Sequence, residues 1–261
     1  MDLNLKGKRA VVCGSTQGIG KASAIELALL GAHITLIARN EVKLKSVLQE
    51  LDTAVGQEHN FLIADFDYPD TLRKEITKFA LTQVAHILVN NTGGPPAGQA
   101  IDATADDYIK AFSTHLLCNQ LLVQALAPGM KEQKYGRIIN VISTSVKAPI
   151  KGLGVSNTIR GAVANWAKTL SSELAPFGIT VNNVLPGSTM TARLGIVLQQ
   201  QVEKTGRSFD ELKKEMISDI PIGRIAEPYE IAVAVAFLAS PAAAYINGIN
   251  VPVDGGRTKS L

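Results

Sequence analysis

Seven short runs of β-branched and apolar residues recur along the chain, separated by longer stretches with helical spacing. This alternation restricts the fold more than any other feature. The runs are Arg9–Cys13, Ala32–Ile37, Asn60–Ala64, Ile87–Asn90, Arg137–Ile142, Thr180–Val184 and Asn250–Val253. Between them, Ile19–Leu30 opens after glycines, Val42–Leu51 is amphipathic, and Tyr108–Met130 and Gly161–Leu174 are long and largely apolar. Strand, helix and strand in repetition imply right-handed crossovers and an α/β fold, a doubly wound parallel sheet with helices on both faces. The strand centres Val11-Val12, Leu36-Ile37 and Ile87-Leu88-Val89 are continuously apolar, as strands buried on both sides must be.

The 261 residues contain no linker, repeat or composition shift, so they read as a single domain, residues 1–261. One stretch breaks the rhythm. Ser188–Ile220 follows a strand and is polar, helical and interrupted by Gly195 and Gly206. Ligands of α/β sheets bind beyond the carboxyl ends of strands, so this insertion reads either as a substrate lid or as a solvated pair of surface helices. Composition narrows the function classes. Lys and Arg number 26 against 23 Asp and Glu, and aromatics are 5%, which gives no basic, aromatic-studded face for nucleic acid. No apolar run approaches the ~18 residues of a membrane span. Met1–Arg9 carries charges throughout and runs straight into a strand, unlike a secretory signal. Two cysteines, Cys13 and Cys118, support neither a disulfide framework nor a metal site. A soluble, cytoplasmic protein is expected.

The first strand ends in Cys13-Gly14-Ser15-Thr16-Gln17-Gly18-Ile19-Gly20, and a helix follows at once. Gly14 permits a tight turn, Gly18 lets backbone approach a pyrophosphate, and Gly20 lets helix and strand pack closely. The helix N-terminus then offers its free N–H groups and dipole to the phosphates. Glycines also sit at ordinary strand–helix turns, but at the first crossover of such a chain they point to dinucleotide binding. The second strand ends Ala38-Arg39-Asn40, with a cation where an NAD-selective site needs a carboxylate for the ribose 2′-hydroxyl. NADP(H) is therefore expected over NAD(H), with Arg39 on the 2′-phosphate; the alternative for Arg39 is a plain surface residue.

With these motifs the chain resembles the short-chain dehydrogenase/reductase family, and within it the 3-oxoacyl-[acyl-carrier-protein] reductase-like members, along nearly its whole length. Asp65 matches the family's adenine-contacting aspartate and Asn90-Asn91-Thr92-Gly93 its N-N-A-G stretch. Pro186-Gly187 with Thr191 matches the segment over the nicotinamide, and Pro221-Ile222-Gly223-Arg224 through Val253-Asp254-Gly255-Gly256 is near the family close. The resemblance implies a Rossmann-type sheet of seven parallel strands, a small-molecule carbonyl or alcohol substrate and a homotetramer. It implies cofactor contacts from Gly14 to Gly20 and from Asp65, Phe66, Asn91, Gly93, Arg160, Pro186, Gly187, Thr189 and Thr191.

The resemblance fails where chemistry is done. The family's tyrosine stands thirteen residues after a serine and four before a lysine, with an asparagine relaying protons. Gly136-Arg137-Ile138-Ile139-Asn140-Val141-Ile142-Ser143 puts the serine at Ser143, so Ser156 takes the tyrosine's position, Arg160 the lysine's and His115 the asparagine's. An aliphatic hydroxyl is a far weaker acid than a phenol of pKa ~10, and Arg160 keeps its proton while still able to hold ribose hydroxyls. His115 suits general acid work if it faces the cleft, or is a packed helix residue; Lys147 and Lys151 either serve the substrate side or are solvated. Two functions stay open, an NADP(H)-dependent oxidoreductase and a catalytically silent NADP-binding or redox-sensing protein.

Overall fold

Strands buried on both sides alternate their side chains between two helical layers, and this chain does so. A computed structural model describes residues 1–260. Its strands are β1 Arg9–Cys13, β2 His33–Ala38, β3 Asn60–Ile63, β4 Ile87–Asn90, β5 Gly136–Val141, β6 Ile179–Pro186 and β7 Asn250–Val253. They form one all-parallel sheet in the order β3-β2-β1-β4-β5-β6-β7. The winding reverses between β1 and β4. Ala10, Val12, Ile34, Leu36 and Val89 face one layer with α1 Gly18–Leu29 and α9 Pro228–Ala239. Val11, Cys13, Ile37 and Leu88 face the other with α3 Pro69–Ala80, α5 Cys118–Glu132 and α6 Gly154–Leu174. A strand period of two produces this division, and the Rossmann-type doubly wound architecture follows from it.

Several elements differ from the sequence expectation. The helical stretch Tyr108–Met130 is three pieces: α4 Ala105–Phe112, a π-helical turn Ser113–Leu117, and α5. A π turn inserts one residue into the helical ladder and re-aims what it carries, here His115. The helix read from Gly161 starts earlier, at Gly154. Gly98 and Gly154 exchange backbone bonds with the opposite loop, Gly98 N–H to Gly152 O at 2.8 Å and Gly154 N–H to Gly98 O at 2.9 Å. A β-carbon on Gly154 would lie 2.5 Å from Ala100 Cα, so the glycine permits that contact. Helix α3 went unread although Leu72, Ile76 and Phe79 mark its buried stripe and Pro69 its first turn. The Ser188–Ile220 insertion is α7 Ala192–Thr205 and α8 Phe209–Ser218. Gly206 does separate them, at φ 68°, whereas Gly195 sits within α7 and interrupts nothing. Among the described residues no helix is long and apolar enough to cross a membrane, and no cluster of side chains could hold a metal ion.

Candidate active site

The crevice opens where the winding reverses, at the carboxyl ends of β1 and β4. Gly14 and Gly18 hold φ of +58° and +55°, which β-carbon-bearing residues avoid. A β-carbon on Gly14 would lie 2.5 Å from Asn91 O, and one on Gly20 would overlap Gly14's carbonyl and lie 2.6 Å from Asn91 Nδ2. Asn91 closes the arrangement: its Nδ2 donates to Cys13 O at 3.3 Å and Gly14 O at 3.4 Å. Ser15 is buried with its hydroxyl toward Ile37 O at 3.4 Å, and Thr16 and Gln17 lead into α1. Gln17 makes no side-chain cap on that helix, and Ile19 lies in its first turn.

At the neighbouring strand ends, Arg39 is exposed and its guanidinium lies 3.8 Å from Asp65, an ion pair too loose and solvated to hold either residue. The two residues expected at opposite ends of an adenosine phosphate thus adjoin, and Phe66 is buried beneath them. Both cysteines are buried, and burial raises each thiol, Cys118 to about 12. They are inert at neutral pH.

A ladder of asparagines fixes the next four strands. Asn90 Nδ2 donates to Asn140 Oδ1 at 2.8 Å, Asn140 to Asn183 at 2.9 Å, and Asn183 to Asn250 at 2.8 Å. The four residues are register partners across β4, β5, β6 and β7. Each amide therefore meets its neighbour directly. The ladder locks the strand ends that carry Asn91, Thr92, Ser143 and Gly187 into one frame.

Ser143 follows β5 and accepts Ser145 N–H at 3.1 Å, opening a short 3-10 turn, Thr144–Val146, against which α6 packs. Ser156 lies in the first turn of α6, half-buried, and Arg160 follows one turn later on the same helix face. Arg160 is 7% exposed and donates from Nη1 to Val141 O at 3.3 Å, which brings its guanidinium to the end of β5 near Ser143. Burial and the nearby charge of Arg193 pull it down to about 10, still cationic at neutral pH. His115 is buried, with Nδ1 2.6 Å from Thr92 Oγ1. Burial first and Arg160's charge second push its imidazole down to about 2. The histidine thus does reach the site, but it is neutral there, and the imidazolium acid that the sequence left open is unavailable at neutral pH. Lys147 is half-buried and Lys151 exposed; among the described residues neither makes a side-chain hydrogen bond or ion pair.

Across the crevice, Gly187 N–H donates to Val253 O at 3.0 Å, and Thr189 is buried with its hydroxyl on Gly187 O at 3.1 Å. Pro186, just before, ends β6. Thr191 caps α7 by accepting Leu194 N–H at 3.3 Å, and its methyl lies 3.2 Å from where a Gly18 β-carbon would be. The insertion is thereby anchored over the glycine loop. Sequence reasoning missed Arg193, whose guanidinium reaches across to donate to Pro95 O. Its Nε and Arg160's Nη2 lie 4.0 and 3.9 Å from a β-carbon position on Gly94. A signal was present: a cation in the first turn of a helix opposes the helix dipole, at a cost of about 0.3–1 kcal/mol. Thr92 stood in the Asn90–Gly93 stretch that the sequence singled out, but its pairing with His115 carries no sequence signal.

Comparison with known proteins identifies the family. A family model described as enoyl-(acyl carrier protein) reductase matches residues 14–258. A chloroplastic tropinone reductase homolog of Arabidopsis thaliana is 32% identical over 98% of this chain and 77% of its own length. A 3-oxoacyl-[acyl-carrier-protein] reductase of Vibrio cholerae is 33% identical over 97% of this chain and 98% of its own. The crystal structure of L-sorbose reductase from Gluconobacter frateurii, complexed with NADPH and L-sorbose, superposes with a TM-score of 0.93 over 100% of both chains at 29% identity. Matched from the glycine loop to the last strand, the chain belongs to the short-chain dehydrogenase/reductase family.

Proposed function

We propose that the chain is an NADP(H)-dependent oxidoreductase that interconverts a carbonyl and an alcohol on a small molecule, with Ser156 and Arg160 standing where relatives carry tyrosine and lysine. The crevice at the β1/β4 switch point carries this reading, because its Gly14 and Gly20 leave room for no β-carbon and its far end presents Arg39. Gly14 to Gly20, including Ser15, Thr16, Gln17 and Ile19, would hold the pyrophosphate together with Thr191. Asp65 and Phe66 flank the adenine, Arg39 takes the 2′-phosphate, and Asn91, Gly93, Pro186, Gly187 and Thr189 line the remainder. A nicotinamide dinucleotide bound there supplies or accepts hydride.

The chain's own residues do the rest. Ser143 and Ser156 hydroxyls bind the reacting oxygen, and Arg160 orients the nicotinamide ribose with its unused donors while its charge favours a developing oxyanion. His115 stays neutral and passes hydrogen bonds through Thr92. The proton reaches the oxygen from solvent through the Ser156 hydroxyl. Lacking a positioned acid of matched pKa, such a site forgoes about 10²–10⁴-fold in rate. Helices α7 and α8 act as the lid. Tyr229 and Val233 on α9, and Tyr245 and Ile249 before β7, are exposed apolar side chains available to a homo-oligomer contact, a tetramer by family resemblance.

The test is NADPH consumption with 3-oxoacyl thioesters, ketones and aldehydes, Ser143→Ala serving as control. Ser143-dependent turnover is expected, and buffer-level rates throughout would remove the proposal. One observation favours a second reading, a silent NADP-binding protein: burial and Arg160's charge hold His115 neutral beside Thr92, so it offers no imidazolium acid at neutral pH. Tight NADPH binding with no turnover on any substrate would select it.

A further inference from the structure

Two arginines from different helices enter the crevice without a carboxylate to meet them. Arg160 comes from α6 and Arg193 from the first turn of α7, and both guanidiniums reach the space above Gly94, within 3.9 and 4.0 Å of its β-carbon position. Among the described residues neither makes an ion pair within 4.0 Å. Each instead donates to one neutral carbonyl, Val141 O for Arg160 and Pro95 O for Arg193. A guanidinium has five N–H donors, so most remain free. Arg160 is more than nine-tenths buried, and an uncompensated buried cation beside a second cation is costly. Burial first and Arg193's charge second pull Arg160 down, and burial pulls Arg193 down. Arg193 gains nothing from its own helix, whose positive end it sits on. An arrangement that breaks these local rules together is completed by an anion from outside.

We propose that Arg193, assisted by Arg160, is the subsite for a carboxylate on the substrate, so that this protein acts on an oxo or hydroxy acid. The inference rests on the oxidoreductase reading, which puts the reacting carbon beside Ser143 and Ser156. Planar carboxylate and planar guanidinium pair through two parallel bonds. The cofactor's phosphates are served elsewhere. Their cradle is the glycine loop, over which Thr191 packs, whereas Arg193 points to Gly94 and Pro95. The residue also links α7 to the Gly94-Pro95 loop, so an acid bound there draws the insertion onto the crevice.

Calorimetric titration of the NADPH-saturated protein tests this with matched pairs: pyruvate, acetoacetate and levulinate, each against its methyl ester. At least one acid is expected to bind about tenfold to hundredfold tighter than its ester, the worth of a charge-assisted pair. Arg193→Gln should erase that preference while leaving NADPH affinity unchanged, and Arg193→Lys should keep part of it. Acids and esters that bind alike, or that both fail to bind, overturn the proposal. So does an Arg193→Gln variant that loses NADPH affinity yet keeps the preference, since the anion served is then the cofactor's pyrophosphate. NADPH titration of the same samples separates the two proposals: an absent NADPH isotherm refutes the oxidoreductase reading, whereas the acid–ester comparison addresses Arg193.

Discussion

Replacing Asn140 with alanine should cost far more stability than any comparable change at the edge of the asparagine ladder. Asn140 is fully buried and bonded on both sides, to Asn90 at 2.8 Å and Asn183 at 2.9 Å. Its removal strands the Asn90 amide, whose own Oδ1 already lacks a partner, and leaves Asn183 Oδ1 without a donor. An orphaned buried polar group costs about 1–3 kcal/mol, so two cost about 2–6 kcal/mol. Asn250→Ala breaks only the last rung and strands one group, the Asn183 amide, in a part-buried bond, so it should cost about 1 kcal/mol, the low end of that range. In a domain of this size that predicts melting temperatures lower by about 4–24 °C for Asn140→Ala against about 2–4 °C for Asn250→Ala. Urea denaturation with unchanged m-values is the assay. Equal losses at the two positions, or a loss below about 1 kcal/mol at Asn140, would refute the view that the ladder holds the strand ends in register.

Other changes should have equally definite outcomes. Arg39→Glu should weaken NADPH by about tenfold to hundredfold in fluorescence titration while leaving NADH unaffected or improved, because only the 2′-phosphate loses a charged partner. Gly14→Ala should abolish dinucleotide binding, since its β-carbon would meet Asn91 O at 2.5 Å at a φ of +58°; isothermal calorimetry reads this directly. The unfolded chain takes up a proton at His115 below about pH 6.5, and the folded chain refuses it until about 2. Stability is therefore untouched above 6.5 and falls with acid, by at most about 1.4 kcal/mol per pH unit for this group. His115→Gln should flatten the curve between pH 6.5 and 5 by up to one proton's worth, which denaturant titrations across that range will detect. Ser156→Tyr with Arg160→Lys should raise turnover by about 10²-fold or more if these positions are those of the family's tyrosine and lysine; an unchanged rate counts against that alignment.

Much of the fold was legible because burial on both faces writes itself into strands as unbroken apolar runs, and all seven runs fall on strands of the one parallel sheet. Glycine spacing was equally readable, since Gly14 and Gly20 answer to backbone contacts that no other residue tolerates. Apart from α3, whose stripe is local, what escaped depends on partners distant in sequence. The π turn at Ser113–Leu117 has no periodic signature, and it matters through a bond to Thr92 on another strand end. His115's neutrality arises from burial and from Arg160, neither visible at position 115 itself. Arg193 lay in a polar insertion where any arginine passes for a solvated one, and its place in a helix's first turn is a small mark beside its approach to Arg160 and Pro95.

Equilibrium titration of the purified protein with NADPH and with NADH, followed by quenching of Trp166, weighs most directly on the nucleotide crevice. Saturable NADPH binding, tighter than NADH and weakened by Gly14→Ala, is the predicted result. A flat response to both nucleotides would contradict the account at its base.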